Sequence, residues 1–278
     1  MRREFTNQSS PRVKGVRRLA KRTFRQRERL FLAEGPQGIR EALAVPGILV
    51  ELFATAEAEI RHPDVIERAT AAQVPVYRVS GEVMGELAQT ITPQGLLGVC
   101  RFVDVGLEQA LPDGPRLVVV LAHVRDPGNA GTVLRTADAA GADVVIFTDA
   151  CVDPYNAKCV RASAGSLFHV TLVVGVTVRA AAQALSAAGV RVLAADGRAP
   201  RTIDAALDEG CLAGPTAWVF GNEAWGLADG VMGLVDGALR VPIYGGAESL
   251  NLATAAAVCL YASARAQRVG GDSGDGAQ

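Results

Sequence analysis

Leu117-Val-Val-Val-Leu121, followed by Ala122-His-Val-Arg-Asp126-Pro-Gly-Asn129-Ala-Gly131-Thr-Val-Leu-Arg135, is the stretch on which the fold turns. Its first five residues are apolar at every position, as expected of a strand buried on both faces. A polar break follows, and a helix is expected over about 131–140. The same alternation continues downstream. Strand-like runs cover Val144 to Phe147, Val170 to Val174, Val190 to Ala194, Ala217 to Phe220 and Leu239 to Ile243, with helical stretches near 156–164, 177–188 and 250–267. Strands alternating with helices predict an α/β fold with a mostly parallel sheet and helices on both faces.

Upstream lies a second α/β pattern. A basic helix over about 12–25 precedes a strand at Leu30 to Ala33, a helix to about Ala44 and a strand from Ile48 to Ala54. A helix from Pro63 to Ala72, a strand from Val74 to Val79, a short helix near 81–88 and a strand from Leu96 to Val103 complete it. Residues 1–103 are therefore expected to form a small α/β domain. Residues 104–115, with Gly106, Pro112, Gly114 and Pro115, are expected to be a linker, 116–268 a second domain, and the Gly/Asp/Ser-rich 269–278 a disordered tail.

Composition narrows the class. With 49% hydrophobic and 21% charged residues over 278 positions, a folded chain is expected rather than a disordered one. No apolar run approaches the ~18 residues needed to span a bilayer, and the basic N-terminus lacks the apolar core of a signal peptide. The five cysteines include no C-x-x-C pair and the three histidines are scattered, so neither a disulfide framework nor a metal site is expected. A cytoplasmic location fits. The net charge of −1 hides an asymmetry: residues 1–30 hold eleven Lys/Arg against two Glu. Within that segment Arg12, Lys14, Arg17, Arg18, Lys21, Arg22 and Arg25 read either as a solvated face or as contacts to a polyanion. The preponderance of Arg favours phosphate, because a guanidinium pairs bidentately with phosphate oxygens.

Three polar or glycine-rich breaks follow apolar runs in the second half: Asn129-x-Gly131 with Arg135, Gly221-Asn-Glu223 with Gly226, and Pro242-Ile243 followed by Ser249-Leu-Asn251. Such breaks line the ligand crevice of an α/β sheet. Asn129 is placed to cap its helix, and Ser249 to cap the last one. Asn251 has no evident capping task. Neither G-x-G-x-x-G after a strand nor a P-loop is present, so neither a Rossmann dehydrogenase nor a P-loop enzyme is supported.

Taken together, in this order and spacing, the three segments strongly resemble the motifs of the SpoU/TrmH family of RNA ribose 2′-O-methyltransferases, in the SPOUT superfamily. The resemblance covers roughly residues 116–265, and residues 1–103 are similar to an L30e-like substrate-binding domain. It implies a deep trefoil knot and a homodimer. The cofactor it implies is S-adenosyl-L-methionine, held by Val219, Phe220, Gly221, Asn222, Gly226, Val241, Pro242, Ile243, Ser249, Leu250 and Leu252. Arg135 is implied as the catalytic residue, with Asn129, Glu223, Ser249 and Asn251 around it. Arg135 acts either as a perturbed base or as a cation stabilising oxyanion character. The implied substrate is structured RNA, ribosomal RNA before tRNA; a non-catalytic RNA-binding factor is the alternative. Many relatives carry Met after the position of Ile243, where this chain has Tyr244-Gly-Gly246.

Overall fold

A computed structural model describes residues 5–111 and 114–272. The chain divides into two compact units: Met1–Val103 with Asp153–Phe168, and Asp104–Val152 with His169–Gln278. Of the tail expected to be disordered, residues 273–278 lie outside the described residues. Part of the expected linker, 112–113, lies outside them too.

The first unit is built on a mixed four-stranded sheet. Strands β1 (Leu30–Glu34), β2 (Leu49–Ala54), β3 (Val76–Arg78) and β4 (Leu96–Arg101) lie in the order β1-β4-β2-β3. β4 is antiparallel to both β1 and β2, while β2 and β3 run parallel. The basic segment forms two helices, Pro11–Arg18 and Arg22–Glu28, rather than one. The first buries Val13 and Val16, and Leu19 just beyond its end, against Leu32, Phe53, Val79, Val83, Leu97 and Val99. That spacing of three residues keeps one face apolar and turns the basic side chains outward. Ser10 caps the helix through its side chain, and Pro11 occupies the first turn, where no N–H is required.

Arg25 departs from the expectation of a nucleic-acid contact. Its side chain is buried, and its Nη2 lies 2.6 Å from Oδ2 of Asp153 with Nε at 3.0 Å. Nη1 donates to the carbonyls of Leu19 and Ala20, and the second oxygen of Asp153 accepts from the backbone of Tyr155. Every polar edge of the pair is thus satisfied, the condition under which a buried ion pair survives desolvation. A guanidinium spent in this way is withheld from phosphate. Asp153 belongs to a segment (Asp153–Phe168) that follows the second unit's early strands in sequence yet packs in the first unit. There Tyr155 stacks on Phe102 with ring centroids 3.7 Å apart and packs tilted against Phe31 at 4.8 Å.

The second unit carries a six-stranded sheet of β5 (Leu117–Leu121), β6 (Val144–Thr148), β7 (Thr171–Val176), β8 (Arg191–Ala195), β9 (Thr216–Phe220) and β10 (Gly237–Leu239). Its order is β10-β8-β9-β5-β6-β7 and every pairing is parallel. Alternation within strands feeds two layers. Val118 and Val120 of β5 and Ala217 and Val219 of β9 face a core with Val178, Ala181 and Leu185 of the helix Val178–Ala187. The other side faces the helix Pro127–Ala140 and the last helix, Leu252–Asp272; there the indole N–H of Trp218 donates to Ser263 Oγ at 2.9 Å, both groups buried. The expected strand from Leu239 to Ile243 ends at Leu239, and residues beyond Arg240 leave the sheet.

Removing one partner of a buried, satisfied pair strands the other charge. Arg25→Ala is expected to destabilise the protein by about 3–5 kcal/mol, read from denaturant unfolding, whereas Arg22→Ala on the exposed face is expected to change stability by less than about 0.5 kcal/mol.

Candidate active site

The crevice of an open parallel sheet forms where the strand order reverses. The chain proceeds from β5 outward to β6 and β7, then returns on the other flank through β8 and β9, so the reversal lies between β5 and β9. Leu121 and Phe220 are register partners at the carboxyl ends of these strands. The first two sequence segments therefore leave the sheet side by side.

The segment after β9 is a tight turn. Asn222 and Gly226 exchange backbone hydrogen bonds at 2.8 and 2.9 Å, and Gly226 has φ +73°. A Cβ at Gly221 would stand 2.4 Å from the carbonyl of Gly226 and 2.6 Å from the nitrogen of Leu227, so only glycine lets the two strands of the turn cross. Asn222 donates through Nδ2 to the carbonyl of His123 at 2.9 Å, which ties this turn to the end of β5. His123 itself holds φ +62°, a conformation uncommon outside glycine and asparagine.

Glu223 then reaches across. Its carboxylate accepts from the backbone N–H groups of Arg125 (3.3 Å) and Asp126 (3.2 Å) and from Asn129 Nδ2 (3.3 Å). On its other edge Asn129 Oδ1 accepts from Asn251 Nδ2 at 3.0 Å. The three segments are thus joined by one side-chain amide, whose donor and acceptor ends are fixed by unlike partners.

Two capping expectations are corrected. Asp126, not Asn129, caps the helix: its carboxylate accepts from the backbone of Asn129 at 2.8 Å, and the helix starts at Pro127, a turn earlier than expected. The Asp126-Pro127 pair was a readable start, an acidic cap followed by proline in the first turn. Likewise Asn251, not Ser249, caps the last helix, its Oδ1 accepting from Ala253 N (2.9 Å) and Thr254 N (3.4 Å). Asn251 caps with its oxygen and bridges with its nitrogen.

Arg135 sits two turns into the Pro127–Ala140 helix, exposed, with no hydrogen bond or ion pair among the described residues. Ser249 is exposed and likewise outside the Asn129 network. Of the cofactor residues expected, Val219 and Phe220 are buried in β9, Asn222 is buried in the turn, and Leu252 opens the last helix. Val241, Pro242, Ile243 and Leu250 lie on an irregular, largely exposed stretch. Tyr244 Oη donates to Asp204 Oδ2 at 2.9 Å, tethering that stretch; the neighbouring carboxylate raises the phenol above its ordinary range. Among the described residues no cluster of three or more His, Cys, Asp or Glu could hold a metal ion, and no helix is long and apolar enough to cross a membrane.

Residues 116–261 match the model of the SpoU rRNA Methylase family. The chain belongs to that family. Residues 10–98 match the MRM3-like substrate binding domain. The family relative RlmP of Bacillus subtilis, a 23S rRNA (guanosine(2553)-2′-O)-methyltransferase, is 34% identical over 259 residues, spanning 93% of this chain and 98% of that one. Among solved structures, an AdoMet-bound rRNA methyltransferase from Sinorhizobium meliloti is 30% identical with a TM-score of 0.81, covering 95% of this chain and 97% of that one. The SpoU methyltransferase AviRb of Streptomyces viridochromogenes, in complex with AdoMet, is 26% identical with a TM-score of 0.78, covering 94% and 99%.

The basic residues expected to meet RNA fall in the first unit. Lys14, Lys21 and Arg22 are exposed with no ion pair among the described residues, and Arg18 lies over Phe24. Arg12 pairs with Glu51 at 2.7 Å and Arg17 with Glu86 at 2.7 Å, both near solvent. Arg25 is buried, as described above.

If Glu223 holds the loop at the end of β5, Glu223→Ala is expected to speed amide hydrogen exchange at Arg125 and Asp126 by about tenfold or more, while amides within β5 keep their protection. Unchanged exchange at both positions excludes the bridge.

Proposed function

We propose that this protein transfers a methyl group from S-adenosyl-L-methionine to a ribose 2′-hydroxyl of 23S ribosomal RNA. The observation that carries the reading is the Asn129 bridge, which locks the three family segments together and leaves Arg135 exposed and unpaired on the same helix. The match over residues 116–261 and the ribosomal RNA methyltransferases among the relatives support it.

The chain's residues suit the cofactor. Among the described residues the backbone of Val241–Leu250 makes no hydrogen bond, so a row of N–H and C=O groups flanked by Ile243 and Leu250 is left to meet a ligand. Unpaired backbone donors and acceptors beside apolar side chains match the edge and face of an adenine ring. Residues Val219–Asn222, Gly226, Val241–Ile243, Ser249, Leu250 and Leu252 would hold it. When bound, the cofactor supplies an electrophilic methyl on a sulfonium.

Ribose methylation, in which the 2′-hydroxyl proton passes to solvent water as the oxygen takes the methyl, then needs an aligned 2′-oxygen and relief of its developing negative charge. Arg135 meets both needs as a cation that grips the adjacent phosphate and stabilises the oxyanion. A guanidinium stays protonated throughout the accessible pH range, so the electrostatic role is favoured over that of a base. Glu223 already accepts three N–H donors, which suits it to positioning rather than to taking a proton. The same cluster gives a pure binding factor no advantage.

The protein is further proposed to act as a homodimer. Trp225, Leu250, Val258 and Tyr261 are exposed large apolar residues, three of them on or beside the last helix, and they are the surface a second copy would cover. A knot is proposed for the chain's last crossing: β10 lies at the sheet edge, yet the last helix packs on the central strands β5 and β9. A cytoplasmic site of action is proposed with it.

Arg135→Ala is expected to abolish methyl transfer to ribosomal RNA, by about 10²-fold or more, while S-adenosyl-L-methionine affinity measured by calorimetry stays within about threefold. Near-normal turnover in this variant rules out the assignment. Mapping 2′-O-methylated positions in RNA from cells with and without the gene identifies the nucleotide. Replacing Lys14, Lys21 and Arg22 together with alanine is expected to weaken RNA binding and to lower the slope of log affinity against log salt by up to about three, leaving kcat at saturating RNA unchanged.

A further inference from the structure

In the first unit the two basic helices and the sheet enclose a cavity of about 720 Å³ that the methyl-transfer chemistry does not use. Its inner wall is apolar: Val16 and Leu19 from the helix side, Leu30, Val50 and Val99 from β1, β2 and β4. Its rim is cationic and aromatic. Phe24 lines it with the guanidinium of Arg27 4.9 Å and that of Arg18 5.7 Å from its ring centroid; Arg27 pairs with Glu28 and Arg12 with Glu51, both carboxylates also on the lining, so Arg18 is the rim arginine without an ion pair among the described residues.

Gly15 is the telling residue. It sits in the middle of the helix Pro11–Arg18, where glycine is less favourable than alanine. It has no positive φ, and a Cβ placed on it would meet nothing within 4 Å. Neither backbone conformation nor close packing calls for glycine there. It lines the cavity, and the space a Cβ would enter there is open.

We propose that this cavity receives one unstacked nucleobase of the RNA substrate, a subsite separate in the chain from the Asn129–Arg135 cluster. The proposal rests on the reading of the protein as an RNA methyltransferase and specifies how its first unit holds RNA. Three features select this occupant. An apolar slot with an aromatic ring at its mouth takes the face of a base, as single-strand recognition commonly does. Arg18, which has no carboxylate partner among the described residues, meets a flanking phosphate. Lys14 and Arg22 on the same two helices, and Lys21 between them, have no ion pair among the described residues and extend the cationic track along the backbone of the strand. A base held in a duplex keeps its face stacked and cannot enter, so the subsite selects unpaired nucleotides.

The test uses the full-length protein, with fluorescein-labelled ten-nucleotide oligouridylate, a ten-base-pair RNA duplex and an abasic ten-unit strand as probes, each titrated across salt. The wild type is expected to bind oligouridylate about tenfold tighter than the abasic strand. Gly15→Leu fills the opening while improving helix propensity, and is expected to weaken oligouridylate about tenfold with the salt slope and the duplex affinity unchanged. Phe24→Ala, which adds no bulk, is expected to give a loss of the same kind. Thermal unfolding of both variants at or near the wild-type midpoint accompanies the expected result. Oligouridylate affinity that is unaltered in Gly15→Leu, or equal affinity of the wild type for oligouridylate and the abasic strand, overturns the base pocket while leaving RNA binding intact. A wild type that binds none of the probes overturns the RNA-substrate reading and the pocket with it.

Discussion

One side-chain amide holds the second unit's site together. Asn129 donates to Glu223 and accepts from Asn251, residues 94 and 122 positions away in the chain. An amide is suited to this because it carries a donor and an acceptor on one rigid plane, so unlike partners fix its orientation. Aspartate at 129 would oppose Glu223 with like charge, and leucine would remove both bonds of the bridge. Each partner is itself committed: Glu223 to the backbone of Arg125 and Asp126, Asn251 to the first turn of the last helix. Such a network is cooperative, since each bond polarises its neighbour and a missing member strands the rest. The helix that bears Arg135 is thereby fixed against the two other segments.

The sheet makes that bridge possible. Two fully buried parallel strands, β5 and β9, end in register, and the turns that follow are forced close by Gly221 and held by the Asn222 bond to His123. Packing on both faces leaves these strands little room to shift. The strand ends then set a fixed distance across which Glu223 reaches. The exposed Val241–Leu250 stretch is tethered by a different device, the Tyr244 hydroxyl on Asp204.

In the first unit the same arginine-rich segment serves two purposes. Two helices put Val13, Val16 and Leu19 inward and most of the cations outward. Arg25 breaks the pattern, turning in to pair with Asp153 and to cap the carbonyls of Leu19 and Ala20 at the break between the helices. The break and the buried pair are one feature: ending the first helix exposes carbonyls that a buried cation satisfies. Charge density alone therefore overstates how many arginines face a ligand.

The sequence by itself determined the α/β class, the strands β5 to β9 and the family. Short runs apolar at every position, alternating with helical stretches, fit strands buried on both faces, and the three segments stand in the order and spacing of the family's motifs. It also marked Asn129, Glu223 and Asn251 as a group. Which atoms of that group touch was decided by the tertiary structure, because contacts between residues about a hundred positions apart depend on strand register, which local pattern does not encode. The same holds for the caps. Ser249 and Asn129 are good capping residues by type, yet Asn251 and Asp126 cap, since the chain's path places their oxygens over the free N–H groups. Arg25 looks like its basic neighbours in sequence, and only Asp153, 128 residues on, makes it a buried strut. The strand expected through Ile243 ends at Leu239, because β10 is a three-residue edge strand with β8 alone to pair with. Arg240 still bridges to Thr202, and beyond it no backbone hydrogen bond among the described residues holds 241–250 in the sheet.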